Sequence, residues 1–286
     1  MLARDAGRLI GMTIGLPKLD LEDSFRLLSA AGFAAVEVFL GQLGPGIVDV
    51  PLAEAHAVAA ARAAEEAHLA VSTLNCITGP LDAYSSTSAR RDAARAVAQA
   101  LRLGAAMGAI RVLLWDGELD DPKLLPDAPA QLADCLHEAM AHCGTTHPPQ
   151  IAVELHPNTF AFRHRLHELT AERLQAIGVG ICLDFCHAGV ALGAQFIDQL
   201  SPQFLNAVTH LHYADTDGQS EQLHFPPGLG VLDLNAIIER LAGRGLPMAW
   251  DLFGWPSPRS AINAGMATYQ AAVSTLQAPP RKRSRS

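Results

Sequence analysis

Residues 151–187 read IAVELHPNTFAFRHRLHELTAERLQAIGVGICLDFCH and contain one complete repeat of the pattern that organises the chain. An apolar run, Ile151–Leu155, is followed by a polar segment and by an amphipathic stretch over Thr170–Ile177. A second apolar run, Val179–Leu183, then begins after Gly178. Short apolar runs that alternate with helical stretches are typical of parallel strands joined by right-handed crossovers. This stretch therefore predicts an α/β fold built on a parallel sheet.

The same pattern recurs along the whole chain and gives eight strands. The predicted strands are Leu9–Ile14, Ala35–Phe39, Ala70–Leu74, Ile110–Leu114, Ile151–Leu155, Val179–Leu183, Ala207–Tyr213 and Met248–Leu252. The predicted helices include Leu21–Ala31, Leu52–His68, Ser88–Met107, Ala128–Cys143, Thr170–Ile177, Ile197–Leu200 and Leu234–Arg244. Eight such units close a (β/α)8 TIM barrel, which we expect as a single domain over residues 1–278. An open doubly wound sheet is the alternative, but Gly15-Leu16-Pro17 replaces the glycine-rich turn that such folds place after their first strand.

Composition narrows the classes of protein further. The chain has 286 residues, of which 49% are hydrophobic, and this suffices for one large core. Its net charge of −8 argues against a nucleic-acid partner. We find no apolar stretch long enough for a signal peptide or a membrane span, and five cysteines without a C-x-x-C pair indicate reduced thiols. We therefore expect a cytoplasmic protein with no membrane partner, and residues 279–286, PPRKRSRS, as a disordered basic tail.

Polar side chains cluster at the ends of the last four predicted strands. Glu154, Asp184, His212 and Asp251 lie at the ends of strands five to eight, separated by 30, 28 and 39 residues. The carboxyl ends of parallel barrel strands meet at one face, so these four side chains are expected to converge. Taken singly, Glu154 could equally be one partner of a buried ion pair.

Three carboxylates and an imidazole at a barrel mouth need a counter-charge, because burying unpaired carboxylates is costly. A divalent cation supplies it. Oxygen donors with one nitrogen and no thiolate favour Mn2+, with Mg2+, Co2+ and Zn2+ also compatible. Two neighbours have structural interpretations instead: His210 as a hydrogen-bonded core histidine, and Asp215 as the cap of a turn.

These motifs resemble the xylose isomerase-like, or sugar phosphate isomerase/epimerase, superfamily. The resemblance rests on the four strand-end residues, on Asp184-x-x-His187, on His212-x-x-Asp215 and on Pro227-Gly228-x-Gly230, and it extends over about residues 8–276. It implies one divalent metal ion held by Glu154, Asp184, His212 and Asp251, with His187 close to the metal or the substrate.

The resemblance also implies an activity. Members isomerise or epimerise a sugar, sugar phosphate or keto-polyol through a metal-stabilised enediolate, which predicts a role in carbohydrate metabolism. The catalytic residues would be Glu154 and Asp251, which exchange a proton with the substrate carbon, together with His187. The alternative is a dehydratase acting on an inosose-type or keto-acid substrate. An apurinic-site endonuclease-like nuclease and a non-catalytic small-molecule-binding barrel are further hypotheses. The endonucleases carry extra histidine ligands on strands three and four, whose ends in this chain, Thr73-Leu74-Asn75 and Leu114-Trp115-Asp116, contain no histidine.

Other strand-end residues are expected to bind the substrate. They are Glu37, Asn75, Trp115 and His156. Arg163 and His164 lie beyond strand five and could contact a phosphate or carboxylate group, and residues 214–232 form a long polar segment that is a candidate lid. The partner is expected to be a small sugar or polyol. A homo-oligomeric assembly is compatible with the sequence.

The chain departs from the family pattern at two positions. The strand-eight ligand is usually Glu, whereas Asp251 is one methylene shorter. In ketose 3-epimerases an Arg usually follows the strand-seven histidine by six positions, and this chain has Gly218 there. The sequence therefore predicts the superfamily more firmly than any one member of it.

Overall fold

Eight parallel strands close into a barrel in which each strand pairs with the next along the chain and β8 pairs with β1. The structure is a computed structural model that describes residues 7–43, 50–76 and 81–279. The strands are β1 (Ile10–Met12), β2 (Ala35–Phe39), β3 (Ala70–Asn75), β4 (Arg111–Trp115), β5 (Gln150–Glu154), β6 (Gly180–Asp184), β7 (Val208–Tyr213) and β8 (Met248–Trp250). The predicted (β/α)8 fold is confirmed.

Helices surround the barrel and pack on the outer face of the strands. They are α1 (Leu21–Ala30), α2 (Val50–Glu66), α3 (Thr87–Ala106), α4 (Ala128–His142), α5 (Phe160–Arg163), α6 (His167–Ala176), α7 (Phe185–Leu192), α8 (Phe196–Gln199), α9 (Pro202–Ala207), α10 (Leu234–Leu241) and α11 (Pro258–Gln277). One large apolar cluster joins outward-facing strand residues such as Val36 and Leu74 to helix residues such as Leu28 and Leu101. No helix among the described residues is long and apolar enough to cross a membrane. The expected tail lies outside the described residues from position 280 onward.

Helix α7 was absent from the predicted segments, and its position matters for the site. It begins at Phe185, directly after the last residue of β6, with no polar turn between the two elements. The side chain of Asp184 caps it by accepting a hydrogen bond of 2.7 Å from the backbone N–H of His187. The boundary is hard to see in the mostly apolar sequence, because only the capping residue marks it. The cap fixes the direction of the Asp184 carboxylate.

The loop of residues 214–232, which follows β7, is tied to the barrel by one carboxylate. Asp215 accepts hydrogen bonds from the backbone N–H groups of Thr216, Gly228, Gly230 and Leu232, at 2.9 to 3.1 Å. A Cβ at Gly230 would collide with the Asp215 side chain, so the close approach requires glycine. Asp215 therefore does more than cap one turn: it sets the path of the whole loop.

We expect Asp215→Asn to lower the free energy of unfolding by about 3 kcal/mol, because an amide cannot satisfy four N–H donors and bonds to a charged acceptor are each worth about 1.5–3 kcal/mol. Urea denaturation measures this change. Asp134→Asn, at an exposed position of α4, is the matched control and should stay within about 0.5 kcal/mol of wild type. Equal stability of the two variants would contradict the role given to Asp215.

Candidate metal centre and active site

Four side chains from consecutive strands converge at the carboxyl end of the barrel. Glu154 and Asp184 are the last residues of β5 and β6, His212 lies in β7, and Asp251 follows β8. Nδ1 of His212 is 3.1 Å from Oε1 of Glu154, 3.5 Å from Oδ2 of Asp184 and 3.8 Å from Oδ2 of Asp251. All four residues are at most 4% exposed. One imidazole nitrogen thus faces three buried carboxylates.

The charges within this cluster shift the pKa values of its members in opposite directions. Burial favours the protonated acid, yet His212 and His187 outweigh it and hold the pKa of Glu154 well below its ordinary value. Burial raises the pKa of Asp251. Burial also disfavours a charged imidazole, but the surrounding acidic groups hold the pKa of His212 well above its ordinary value. Because Nδ1 of His212 faces the carboxylates, a proton and a metal ion would compete for it.

The cluster contains buried donor atoms that a divalent cation could bind. Both ring nitrogens of His224 are buried and make no hydrogen bond among the described residues. Oδ2 of Asp184 and Nδ1 of His187 are also buried and make no well-aligned hydrogen bond there, and they have only ion-pair contacts of 3.5 Å to His212 and 3.3 Å to Glu154. Four sets of three side chains place one donor atom each within 4.8 Å of the others, and two of these sets contain no thiol: Glu154, Asp184 and His187, and Asp184, His212 and Asp251. Buried polar atoms without partners are rare, and an ion that accepts their lone pairs removes the cost. Three oxygens and one nitrogen are a suitable donor set.

A thiol lies beside the cluster. Cys186 places its sulfur within 4.8 Å of donor atoms of Asp184 and His224. Burial raises the pKa of the Cys186 thiol above its ordinary value. Cys182 packs in the barrel interior with Leu113 and Ala152, and its sulfur also lies within 4.8 Å of ring nitrogens of His210 and His212.

Glu37 lies directly beneath the cluster and fixes His212. Its carboxylate is 3.2 Å from Nε2 of His212 and 2.9 Å from Nε2 of His210, and it accepts a 2.7 Å hydrogen bond from Asn75 Nδ2. A carboxylate on the far nitrogen orients an imidazole and leaves the near nitrogen to a ligand. Glu37 does not line the cavity, so its expected contact with substrate is corrected: it lies one layer deeper, inside the barrel.

His210 belongs to the same deep layer. Its Nδ1 is 3.3 Å from Nη1 of Arg111, whose guanidinium also lies 3.3 Å from Thr73 Oγ1. Burial, reinforced by Arg111, lowers the pKa of His210 to about 4. These buried contacts occupy both ring nitrogens, so His210 packs as a core histidine.

A cavity of about 360 Å³ opens above the cluster. Of the residues expected to bind substrate, Asn75, Trp115 and His156 line it, as does His187. The rings of Trp115 and His156 are in contact, with their centroids 4.8 Å apart and their planes tilted by 38°. Burial and the neighbouring His187 lower the pKa of His156 to about 3, whereas the Asp184 and Glu154 carboxylates outweigh burial and raise that of His187 to about 9.

Three lining residues come from the loop that Asp215 ties down, and the sequence did not single them out. They are Glu221, Gln222 and His224. His224 bridges two predicted ligands: its Nε2 is 3.7 Å from Oδ1 of Asp184 and its Nδ1 is 3.7 Å from Oδ1 of Asp251. A lone histidine in a polar loop carries no periodic signal, so the only clue was the length of the loop. Arg163 and His164 do not line the cavity, and Nη1 of Arg163 lies 2.9 Å from Oδ1 of Asp120.

Comparison with known proteins agrees with this architecture. The family model for xylose isomerase-like TIM barrels matches residues 25–272. No curated protein matches the chain in sequence. Among solved structures, the IolI protein with a bound zinc atom has a TM-score of 0.73 and 17% identity, over 95% of this chain and 99% of its own.

Two further solved structures resemble the chain to a similar degree. The Escherichia coli 3-keto-D-glucoside 4-epimerase YcjR has a TM-score of 0.62 and 17% identity, over 88% of this chain and 94% of its own. The probable 3-DHS dehydratase AsbF from Bacillus anthracis has a TM-score of 0.67 and 14% identity, over 91% and 98%. At such low identities the likeness establishes the fold, and it leaves the reaction to be inferred from the site.

We expect Mn2+ to raise the melting temperature of chelator-treated protein, because an ion that binds only the native state stabilises it by about 2.7 kcal/mol at one hundred times Kd. Thermal denaturation with and without Mn2+ measures the shift, and K+ at equal ionic strength is the control. An unchanged melting temperature would argue against a metal site of useful affinity.

Replacement Glu37→Gln should weaken Mn2+ binding by about 10- to 100-fold, because the amide keeps the shape but loses the charge that orients His212. Isothermal titration calorimetry gives the affinity. Glu22→Gln, at an exposed position of α1, is the matched control and should bind like wild type. Equal Kd values for the two variants would show that Glu37 does not support the site.

Proposed function

Because the chain belongs to the xylose isomerase-like TIM barrel family, we propose that it is a metal-dependent isomerase or epimerase of a sugar or keto-polyol. The observation that carries this proposal is the convergence of three buried carboxylates on Nδ1 of His212 at the floor of a cavity. Known structures with the same fold include an epimerase and a dehydratase, so the scaffold accommodates such chemistry.

Glu154, Asp184, His212 and Asp251 would hold the metal ion. The ion, when bound, supplies Lewis acidity toward a carbonyl oxygen and an adjacent hydroxyl. Mn2+ is our first choice for a donor set of three carboxylates and one imidazole, ahead of Mg2+, Co2+ and Zn2+. Asp184 does not line the cavity, unlike Glu154 and Asp251, so we confine its part to binding the ion.

Glu154 is the residue that we assign as the base. It lines the cavity, and the adjacent imidazoles keep it ionised. In this role it accepts the proton from the carbon next to the substrate carbonyl. A carboxylate of low pKa is a weak base. The short distance between Glu154 and a substrate bound in the cavity therefore has to account for much of the rate enhancement.

Asp251 is assigned to the second proton transfer. It lines the cavity, and its Oδ1 accepts a 2.7 Å hydrogen bond from the backbone N–H of Phe253. The other oxygen, Oδ2, faces His212 and lies 3.8 Å from its Nδ1. Return of a proton by Asp251 to the opposite face of the same carbon inverts the centre. Return by Glu154 to that carbon gives exchange only, whereas its delivery by Glu154 to the neighbouring carbon, the former carbonyl carbon, gives isomerisation.

His187 favours a dehydratase as the second candidate. Its imidazole lines the cavity, with Nδ1 3.3 Å from Oε1 of Glu154. After Glu154 removes the α-proton, a protonated His187 could donate to a departing β-hydroxyl, which leaves as water. Isomerase, epimerase and dehydratase thus share the first step and differ in where the next proton goes.

We expect Glu154→Gln to reduce exchange of the substrate α-proton with D2O at least tenfold, because the amide keeps the side-chain shape but is not basic. Exchange is followed by proton NMR on a panel of ketoses and inososes with Mn2+ present, and the product formed separates the three reactions. Glu172→Gln, at an exposed position of α6, is the control. Exchange by the Glu154 variant above a tenth of wild type would remove Glu154 as the base.

A further inference from the structure

Two ring nitrogens in the cavity wall lack a partner in the part of the chain that the structure describes. They belong to Trp115, the last residue of β4, and to His156, which lies two residues beyond the end of β5. Both residues line the cavity, and Nε1 of Trp115 and Nε2 of His156 are buried atoms without a hydrogen bond. An indole nitrogen can only donate, so the missing partner of Trp115 is an acceptor. An imidazole nitrogen can donate or accept, and for His156 the tautomer decides which.

The local turn fixes the tautomer of His156. The backbone N–H of Asn158 lies 3.2 Å from Nδ1 of His156 and donates a hydrogen bond to it. The N–H of Thr159 closes the turn on the carbonyl oxygen of His156 at 3.1 Å, and Pro157 occupies the second position of the turn, where proline is favoured. Because Nδ1 accepts a hydrogen bond, it carries no proton. The single proton of the neutral ring is therefore on Nε2, which makes Nε2 a donor.

The carboxylate of Asp116 holds this turn in place. It accepts hydrogen bonds from the backbone N–H of Ala161, at 2.9 Å, and from the hydroxyl of Thr159. The oxygen of that hydroxyl accepts a 3.1 Å hydrogen bond from the backbone N–H of His156. The end of β4, which carries Trp115, is thereby joined to the turn that carries His156, and the two rings contact each other. The two donors thus belong to one supported wall.

This wall differs from the ionic cluster beside it. His187 and His212 direct Nδ1 to the Glu154 carboxylate, at 3.3 and 3.1 Å. The described residues provide no such acid for Nε1 of Trp115 or Nε2 of His156. A buried donor without an acceptor is costly, so the acceptor has to come from the cavity, as water or as an oxygen of a ligand that replaces it.

Resting on the proposed function, we infer that Trp115 and His156 form a hydrogen-bond donor subsite for substrate oxygens, separate from the proposed metal ligands. Nε1–H of Trp115 and Nε2–H of His156 bind carbonyl or hydroxyl oxygens as uncharged donors. When Glu154 removes the α-proton, the oxygens of the enediolate gain negative charge, and donors already in place stabilise that charge without reorganisation. His156 acts here as a donor of fixed tautomer and not as a base.

Nitrogen-15 NMR of histidine-labelled protein tests the tautomer without metal or ligand. The signals of His156, identified by their loss in His156→Gln, should show a protonated Nε2 and an unprotonated Nδ1, because the two kinds of ring nitrogen differ widely in chemical shift. A ring with its proton on Nδ1, or with protons on both nitrogens at neutral pH, would overturn the inference.

Glycolohydroxamate, which has two adjacent oxygens like an enediolate, tests binding to the protein loaded with diamagnetic Mg2+. At saturation the ring N–H protons of Trp115 and His156 should both move downfield as they bond to oxygen. Trp115→Phe and His156→Phe should each weaken binding by about fivefold or more in calorimetry, the value of one hydrogen bond. His156→Gln, whose amide can donate, should bind more tightly than His156→Phe.

The matched control is Trp255→Phe, because Trp255 does not line the cavity, and it should bind glycolohydroxamate like wild type. No shift of either ring proton, or wild-type affinity in both Trp115→Phe and His156→Phe, would overturn the inference.

Proton exchange separates this inference from the proposed function. Exchange of a ketose α-proton at the wild-type rate by both Trp115→Phe and His156→Phe contradicts the donor subsite alone. Shifted ring protons of Trp115 and His156 in the glycolohydroxamate complex, without exchange of any ketose or inosose, contradict the proposed function alone.

Discussion

The structure depends on one electrostatic constraint, the placement of three buried carboxylates around a single imidazole nitrogen. Glu154, Asp184 and Asp251 are within 3.1 to 3.8 Å of Nδ1 of His212. Carboxylates so close together repel one another, and burial adds to the cost unless a positive charge lies among them. The barrel holds the acids together by placing each of them at the carboxyl end of its own strand.

Beneath the acids, a second set of polar contacts determines which way His212 faces. Glu37 occupies its Nε2 and is in turn held by His210 and Asn75. The centre thus consists of two layers with different roles. The upper layer presents lone pairs to the cavity, and the lower layer uses a carboxylate to keep one imidazole in a fixed orientation. Loss of the lower layer would leave all four proposed ligands present but poorly aligned.

Strand order and the converging acids could be predicted from the sequence because both follow from local patterns. Apolar runs give the strands, and the parallel barrel brings their ends together. The depth of a side chain could not be predicted in this way: Glu37 has the same strand-end pattern as a cavity residue, yet it points to His210. His224 was missed for another reason, since its position depends on the hydrogen bonds of Asp215 to a loop that has no periodicity.

The central claim is that one metal ion lies among these acids, and anomalous diffraction at the manganese absorption edge tests it most directly. Crystals grown with Mn2+ should show one strong anomalous peak within bonding distance of Glu154, Asp184, Asp251 and Nδ1 of His212. No peak in the cavity, or a peak bonded instead to Cys186 and His224 and away from His212, would contradict the account.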